Sequence, residues 1–185
     1  MGAVPSVSLP PVVSCAKDIP CRSDCYVIRN MIGGPYGKSI GASYAANWEL
    51  LTHDREDYHA QLDAWLSRRA PGFFRFHVSG DFVDCDHLHR SMVLASLHPE
   101  TKFLAFTKNH GILPRLNIIP VNFTVIASMW PGWGKRPRGY RVAWMQDGTE
   151  DRIPTNALPC PGNCETCGMC WNLRTLKRDV WFHYH

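Results

Sequence analysis

Five runs of the chain, FFRFHV (73–78), KFLAFT (102–107), NFTVIASM (122–129), YRVAWM (140–145) and DVWFHYH (179–185), are apolar or aromatic at most positions and do not alternate with polar residues. A strand exposed on one side alternates; a strand covered on both sides reads as a continuous apolar run, which is the habit of parallel sheets flanked by helices. Segments of helical character separate the first of these runs. DREDYHAQLDAWLSRRAPG (54–72) has an acidic first turn, puts Tyr58, Leu62, Trp65 and Leu66 on one face, and closes with two arginines and a Pro-Gly stop. DCDHLHRSMVLASLHP (84–99) follows the same grammar, with Asp84 or Asp86 placed to cap it and Pro99 to end it. The expectation is an α/β fold with a mostly parallel sheet, an abbreviated (β/α) barrel-like arrangement, since 185 residues are too few for the roughly 200 to 250 of a full eight-fold barrel.

A chain of this length with 45% hydrophobic residues can bury one core, so a single domain is expected over residues 1–185. Within it, residues 1–52 read as an irregular cysteine-containing segment with a possible helix near Tyr44–Leu51, residues 53–150 as the βα core, and residues 151–185 as a cysteine-rich loop and closing strand. The formal charge of +4 permits a nucleic-acid partner without demanding one. No apolar run is long enough for a membrane span and no export signal is apparent, so the expected setting is cytoplasmic. There, eight cysteines point to metal or redox chemistry more than to a disulfide framework.

CPGNCETCGMCW (160–171) spaces Cys160, Cys164, Cys167 and Cys170 so that their thiolates can turn back onto one ion, with Gly162 and Gly168 supplying the turns. Zinc is the first expectation and an iron–sulfur cluster the second. His183 and His185 share a face of the last strand, where one could replace a cysteine in a Cys₃His set. A second group, CAKDIPCRSDCY (15–26), offers Cys15, Cys21 and Cys25. Three thiolates leave a coordination position open, as in a cluster that takes a further ligand, or in a zinc site completed elsewhere. The spacing is not the common one of radical enzymes that cleave S-adenosylmethionine. Cys85 reads as a small apolar residue at a helix start, with the fourth ligand as its alternative.

In a parallel α/β sheet, ligands collect beyond the carboxyl ends of the strands. The residues placed there are His77, Ser79 and Asp81, then Thr107, Lys108 and His110, then Ser128 and Trp130, then Gln146 and Asp147. Trp130, Trp133 and Trp144 offer faces for a base, and Lys135, Arg136, Arg138 and Arg141 form a basic run beside them, which favours a nucleic acid or nucleotide.

CAKDIPCRSDCY, FRFHVSGDF, FLAFTK, CPGNCETCGMCW and VWFHYH, in that order, resemble the phage gene-product-88-like proteins, which would place the chain in a host cell's cytoplasm. It departs from that pattern at Val78, where the family often carries an Asp. A less extensive likeness runs to the guanine transglycosylases, which exchange guanine in tRNA or DNA for a deazaguanine. That likeness implies Asp147 or Asp81 as nucleophile, with His77 or the other carboxylate moving the proton, and a structural zinc near the end, while the strand ends and the basic run themselves offer Ser79, Lys108, Trp130, Arg136 and Arg138 to a substrate. Three functions therefore stand as expectations: DNA modification by base exchange, an iron–sulfur redox or S-adenosylmethionine radical-like enzyme, and a non-catalytic zinc-stabilised nucleic-acid-binding module.

Overall fold

In the computed structural model, which describes residues 4–115 and 119–183, all seven strands lie parallel in one sheet. The strands are β1 (Ser6–Val7), β2 (Phe73–Phe76), β3 (Lys102–Thr107), β4 (Phe123–Met129), β5 (Arg141–Gln146), β6 (Leu158–Pro159) and β7 (Val180–His183), in the order β1-β2-β3-β4-β5-β7-β6. The five strand runs legible in the sequence are thus the interior of the sheet, and the two-residue strands β1 and β6 are its edges. Every residue of β4 is buried, as its unbroken apolar run requires.

Four longer helices are α1 (Tyr26–Gly33), α2 (Gly37–His53), α3 (Arg55–Arg69) and α4 (Cys85–Leu97). Both helices anticipated in the core are present with their caps. Asp54 accepts from the Asp57 amide at the start of α3, and Asp84 accepts from the His87 amide at the start of α4. Residues 1–52 were expected to be irregular. Instead α1 and most of α2 lie there, and α2 runs well beyond Tyr44–Leu51. Only Gly37 and Leu51 of α2 are buried, so its sequence carries no apolar stripe to announce it.

The sheet has two differently built faces. On one, Phe74, Phe76, Phe103, Phe123 and Ala105 pack with Tyr58 and Leu66 of α3 and with Leu88, Met92 and Ala95 of α4. The rings of Phe76, Phe103 and Phe123 lie 5.6 to 6.0 Å apart, each worth about 1.5 to 3 kcal/mol of burial. On the other face, Leu104, Ile126, Ala143 and Val180 are covered by Cys170, Trp171 and Leu173. That cover is the cysteine loop and the short turns after it, α5 (Cys164–Cys167), a 3₁₀ turn (Met169–Asn172) and α6 (Leu173–Leu176). No described helix is long and apolar enough to cross a membrane.

Candidate functional site

The carboxyl edge of the sheet is built by β1, β2 and β3. Pairing of β1 with β2 continues past the strands, since the His77 amide donates to the Val7 carbonyl (2.8 Å) and the Leu9 amide to the Ser79 carbonyl (3.0 Å). Gly80, at φ +78°, brings the turn after β2 against the incoming loop. A Cβ there would lie 2.4 Å from the Ser14 hydroxyl and 2.7 Å from the Leu9 Cβ. The loop that leads to Cys15 therefore sits directly on the Ser79-Gly80-Asp81 turn. Asp81, only 3% exposed, ties that turn to the next one, its carboxylate accepting from the Phe82 and Lys108 amides, each at 2.7 Å. Burial pushes its carboxyl up from the ordinary value, while those amides, Thr107 and the Lys108 charge pull the other way.

Cys21 lies within electrostatic range of both Cys15 and Cys25 near this edge. Burial pushes the Cys15 thiol up to about 11; Asp81 and Cys21 add to the rise, and the Val12 backbone and Lys108 oppose it. The Cys21 thiol is raised in the same sense, mainly by burial, with Cys25 as a further like neighbour and Lys108 close enough to donate to it. Cys25 is the N-cap of α1, and the next residue, Tyr26, donates its hydroxyl to the Val78 carbonyl (2.9 Å). Lys108 has its ammonium 5.8 Å from the Trp130 ring, and His110 lies 4.9 Å from Trp133 with an imidazole nitrogen 3.0 Å from the Ser128 carbonyl. Two thiols, a carboxylate and an ammonium are thus neighbours, with the Cys25 thiol beside Cys21, where the fold class collects ligands.

Cys160, Cys164, Cys167 and Cys170 line one small cavity of about 10 Å³, the size of a single water-sized sphere. Gly162 and Gly168, both at positive φ, make the turns their spacing called for. The Cys160 amide donates to the Trp181 carbonyl (2.7 Å) and Leu158 and Pro159 pair with Val180 and Trp181, so the loop is stitched to the closing strand. The Cys170 thiol is pushed up to about 12, first by burial and then by the other three sulfurs. Four thiols around one cavity, that of Cys170 buried and the other three half-buried, suit a cation, because a nearby positive ion favours their joint ionisation. Among the described residues, no three His, Cys, Asp or Glu side chains already stand at metal-ligand spacing, so in either group binding would draw the sulfurs inward. His183 does not line the four-cysteine cavity; its ring is exposed and edge-on to Trp181 at 4.9 Å. His185 lies outside the described residues.

Several expected site residues are placed elsewhere. Asp147 is exposed at the tip of β5, where it accepts from the amide and hydroxyl of Thr149 (2.8 and 2.7 Å), which hold its carboxyl below the ordinary value. It is a turn residue there, and β3 and β4 stand between its strand and that of Asp81. Three strand spacings of about 4.8 Å put the two tips on the order of 14 Å apart along the sheet. The environments of the two carboxylates differ, as base exchange would need, but the structure does not bring them together. His77, 3% exposed at φ +57°, turns its ring towards the helices, against Phe82 (4.6 Å) and His87 (5.2 Å). Arg136 does not line an open basic surface: its guanidinium grips buried Asp179 with both nitrogens. Arg138 is exposed, Trp130 is half-buried with its carbonyl accepting from Arg152 (2.7 Å), and Ser79 is buried in the floor of the turn. Cys85 packs against the helix-side core as a small apolar residue would, with Tyr140 as a neighbour.

One feature escaped the sequence reading. A cleft of about 940 Å³ opens between β1, the first half of α2 and the cysteine loop, with Arg75 in its floor. In FFRFHV that arginine looks like an interruption of a strand, and its phase, opposite to Phe74 and Phe76, is the only signal that it faces the other side of the sheet.

A family model described as gene product 88 matches residues 2–173, which takes in both cysteine groups and the Ser79-Gly80-Asp81 turn. No curated protein and no solved structure matches the chain.

Proposed function

The chain belongs to the gene product 88 family, and from that premise we propose that it is an iron–sulfur enzyme of the kind that cleaves S-adenosylmethionine, its cluster held by Cys15, Cys21 and Cys25. The observation that carries this reading is the nearness of Cys15 and Cys21 to Lys108, and of Cys15 to Asp81, at the carboxyl edge of a parallel sheet, with Cys25 next to Cys21. Three cysteines leave one iron open to a small ligand. Lys108 offers a positive charge to the carboxylate of an amino-acid ligand, a group that S-adenosylmethionine carries, while buried Asp81 fixes the turn beside it. Held by Cys15, Cys21 and Cys25 and supplied by an external one-electron donor, a cluster would provide the chemistry of reductive cleavage of a sulfonium carbon–sulfur bond. This chain's own part is to hold the sulfurs, through the Gly80 contact, and to keep Asp81 oriented, through the Phe82 and Lys108 amides. The four-cysteine loop is a second metal site of structural kind, for which zinc is our assignment.

Base exchange is less well supported, because the tips that carry Asp81 and Asp147 are three strand spacings apart and the alternative proton carrier, His77, packs against Phe82 and His87. The test is anaerobic preparation followed by iron, sulfide and zinc analysis and an assay for 5′-deoxyadenosine with dithionite. About four irons per chain are expected, lost when Cys15, Cys21 and Cys25 are replaced together by Ala and kept in Cys170→Ser. Protein that carries zinc alone, and takes up no cluster on reconstitution, would eliminate this reading.

A further inference from the structure

The 940 Å³ cleft has the volume of a small-molecule site, and its lining is specific in kind. Arg75 rises from the middle of β2 into it. Its guanidinium lies 4.9 Å from the Phe106 ring, its Nε is buried with no hydrogen-bond partner, and it forms no ion pair among the described residues. Its charged or ionisable neighbours include the Tyr26 hydroxyl and the Cys170 thiol but no paired carboxylate among the described residues, and the complement of a half-buried guanidinium is an oxyanion, which it meets with two parallel N–H bonds. Tyr36 and Tyr44, from the start and middle of α2, line the same cleft, and Tyr36 is 73% exposed. Those rings offer stacking faces to a flat heterocycle, and the space is far larger than a bare anion would fill.

We propose that this cleft binds a phosphate-bearing nucleoside, with Arg75 taking the phosphate and the tyrosines of α2 flanking the base. The phosphate can belong to a free nucleotide or to a nucleotide within a single strand. The inference stands on the cleft and on Arg75, and does not depend on the cluster. Yet its wall includes Val78, whose carbonyl accepts from Tyr26 immediately after Cys25, and Cys164 of the other cysteine group. A ligand seated there would lie between the two.

The test is calorimetric titration of the full chain with the common 5′-mononucleotides, the matching nucleosides and a short single-stranded oligonucleotide, at two salt concentrations. At least one mononucleotide or the oligonucleotide should bind tenfold or more tightly than its nucleoside. Arg75→Met should remove that advantage, and Arg75→Lys, which keeps the charge but not the paired N–H donors, should recover part of it. Mononucleotide binding identifies the free ligand, and binding of the oligonucleotide alone identifies the strand. Tyr36→Ala should weaken nucleotide and nucleoside alike. Equal binding of nucleotide and nucleoside, binding unchanged in both Arg75 variants, or no binding of either phosphate-bearing probe would overturn the proposal. Melting curves check that each variant is folded, and a variant that fails that check leaves the comparison of nucleotide with nucleoside on the unaltered chain to decide. Iron measured on the same samples separates this outcome from the fate of the cluster.

Discussion

Gly80 joins the loop that delivers Cys15 to the turn that presents Asp81, and it does so by lacking a side chain. Its φ of +78° disfavours any Cβ, and the atoms that a Cβ would meet include the Leu9 carbonyl, at 3.0 Å, which cannot swing aside as a long side chain could. Gly80→Ala should therefore cost about 1 to 3 kcal/mol in denaturant unfolding and reduce cluster uptake with it. Stability and iron content unchanged by that substitution would show that the loop does not rest on the turn. A second effect at this scale comes from histidine. Buried His77 and His87 sit 5.2 Å apart with no hydrogen-bond partners for their ring nitrogens among the described residues, and burial holds His77 down near 3 and His87 well below its ordinary value. His59 and the arginines Arg55 and Arg90 add further positive charge nearby, with Asp86 opposing at His59. Both rings are neutral in the folded chain at pH 7. As pH falls below about 6.5 the unfolded chain takes up protons that the folded one refuses, so stability drops by up to about 1.4 kcal/mol per pH unit for each ring. Unfolding free energies at pH 7 and 4.5 measure this, and replacing His87 by Phe should flatten the profile.

At the scale of elements, the junction between β5 and β7 hangs on one buried carboxylate. Asp179 accepts from both nitrogens of Arg136, from the Val142 amide and from the Trp144 indole, the last two at 3.1 Å, so it fastens the 131–139 loop, β5 and the start of β7 at one point. Asp179→Ala should cost about 3 to 5 kcal/mol, whereas Arg136→Ala should cost less because the amide and indole donors remain. Equal costs, by urea denaturation, would mean the pair acts only through its mutual attraction. The sequence displayed Arg136 as part of a basic run and gave no hint that a residue 43 positions later claims it. What was legible follows from burial: α3 and α4 bury one face and cap with aspartates, and the inner strands bury both faces. What was illegible is what makes little core contact. β1 and β6 are two residues long, and α2 turns mostly towards the cleft and solvent. The cysteine spacings marked out two groups of thiols. That the first group would meet Asp81 and Lys108 depends on crossovers of some sixty and eighty residues, which no local pattern encodes.

For the molecule as a whole, the two faces of the sheet imply two kinds of stability. The helix side is sealed by α3 and α4, helices of 15 and 13 residues whose apolar faces interlock with the phenylalanines of β2, β3 and β4. The opposite side is sealed by four-residue helical turns and a cysteine loop, which fix few residues through their own hydrogen bonds. Trp171 anchors this cover, its indole donating to the Phe74 carbonyl (3.3 Å) and its own carbonyl accepting from Thr124 (3.0 Å). If a metal on Cys160, Cys164, Cys167 and Cys170 supplies the missing rigidity, its removal should act regionally. Hydrogen exchange of chelator-treated protein should show protection falling across residues 158–183 and β5 while β2, β3 and β4 keep theirs. Cys170→Ser should reproduce the same map without chelator. A uniform loss over the whole sheet would mean that the metal holds the entire fold, and no change at all would mean that Trp171 and Leu173 secure this face by packing alone.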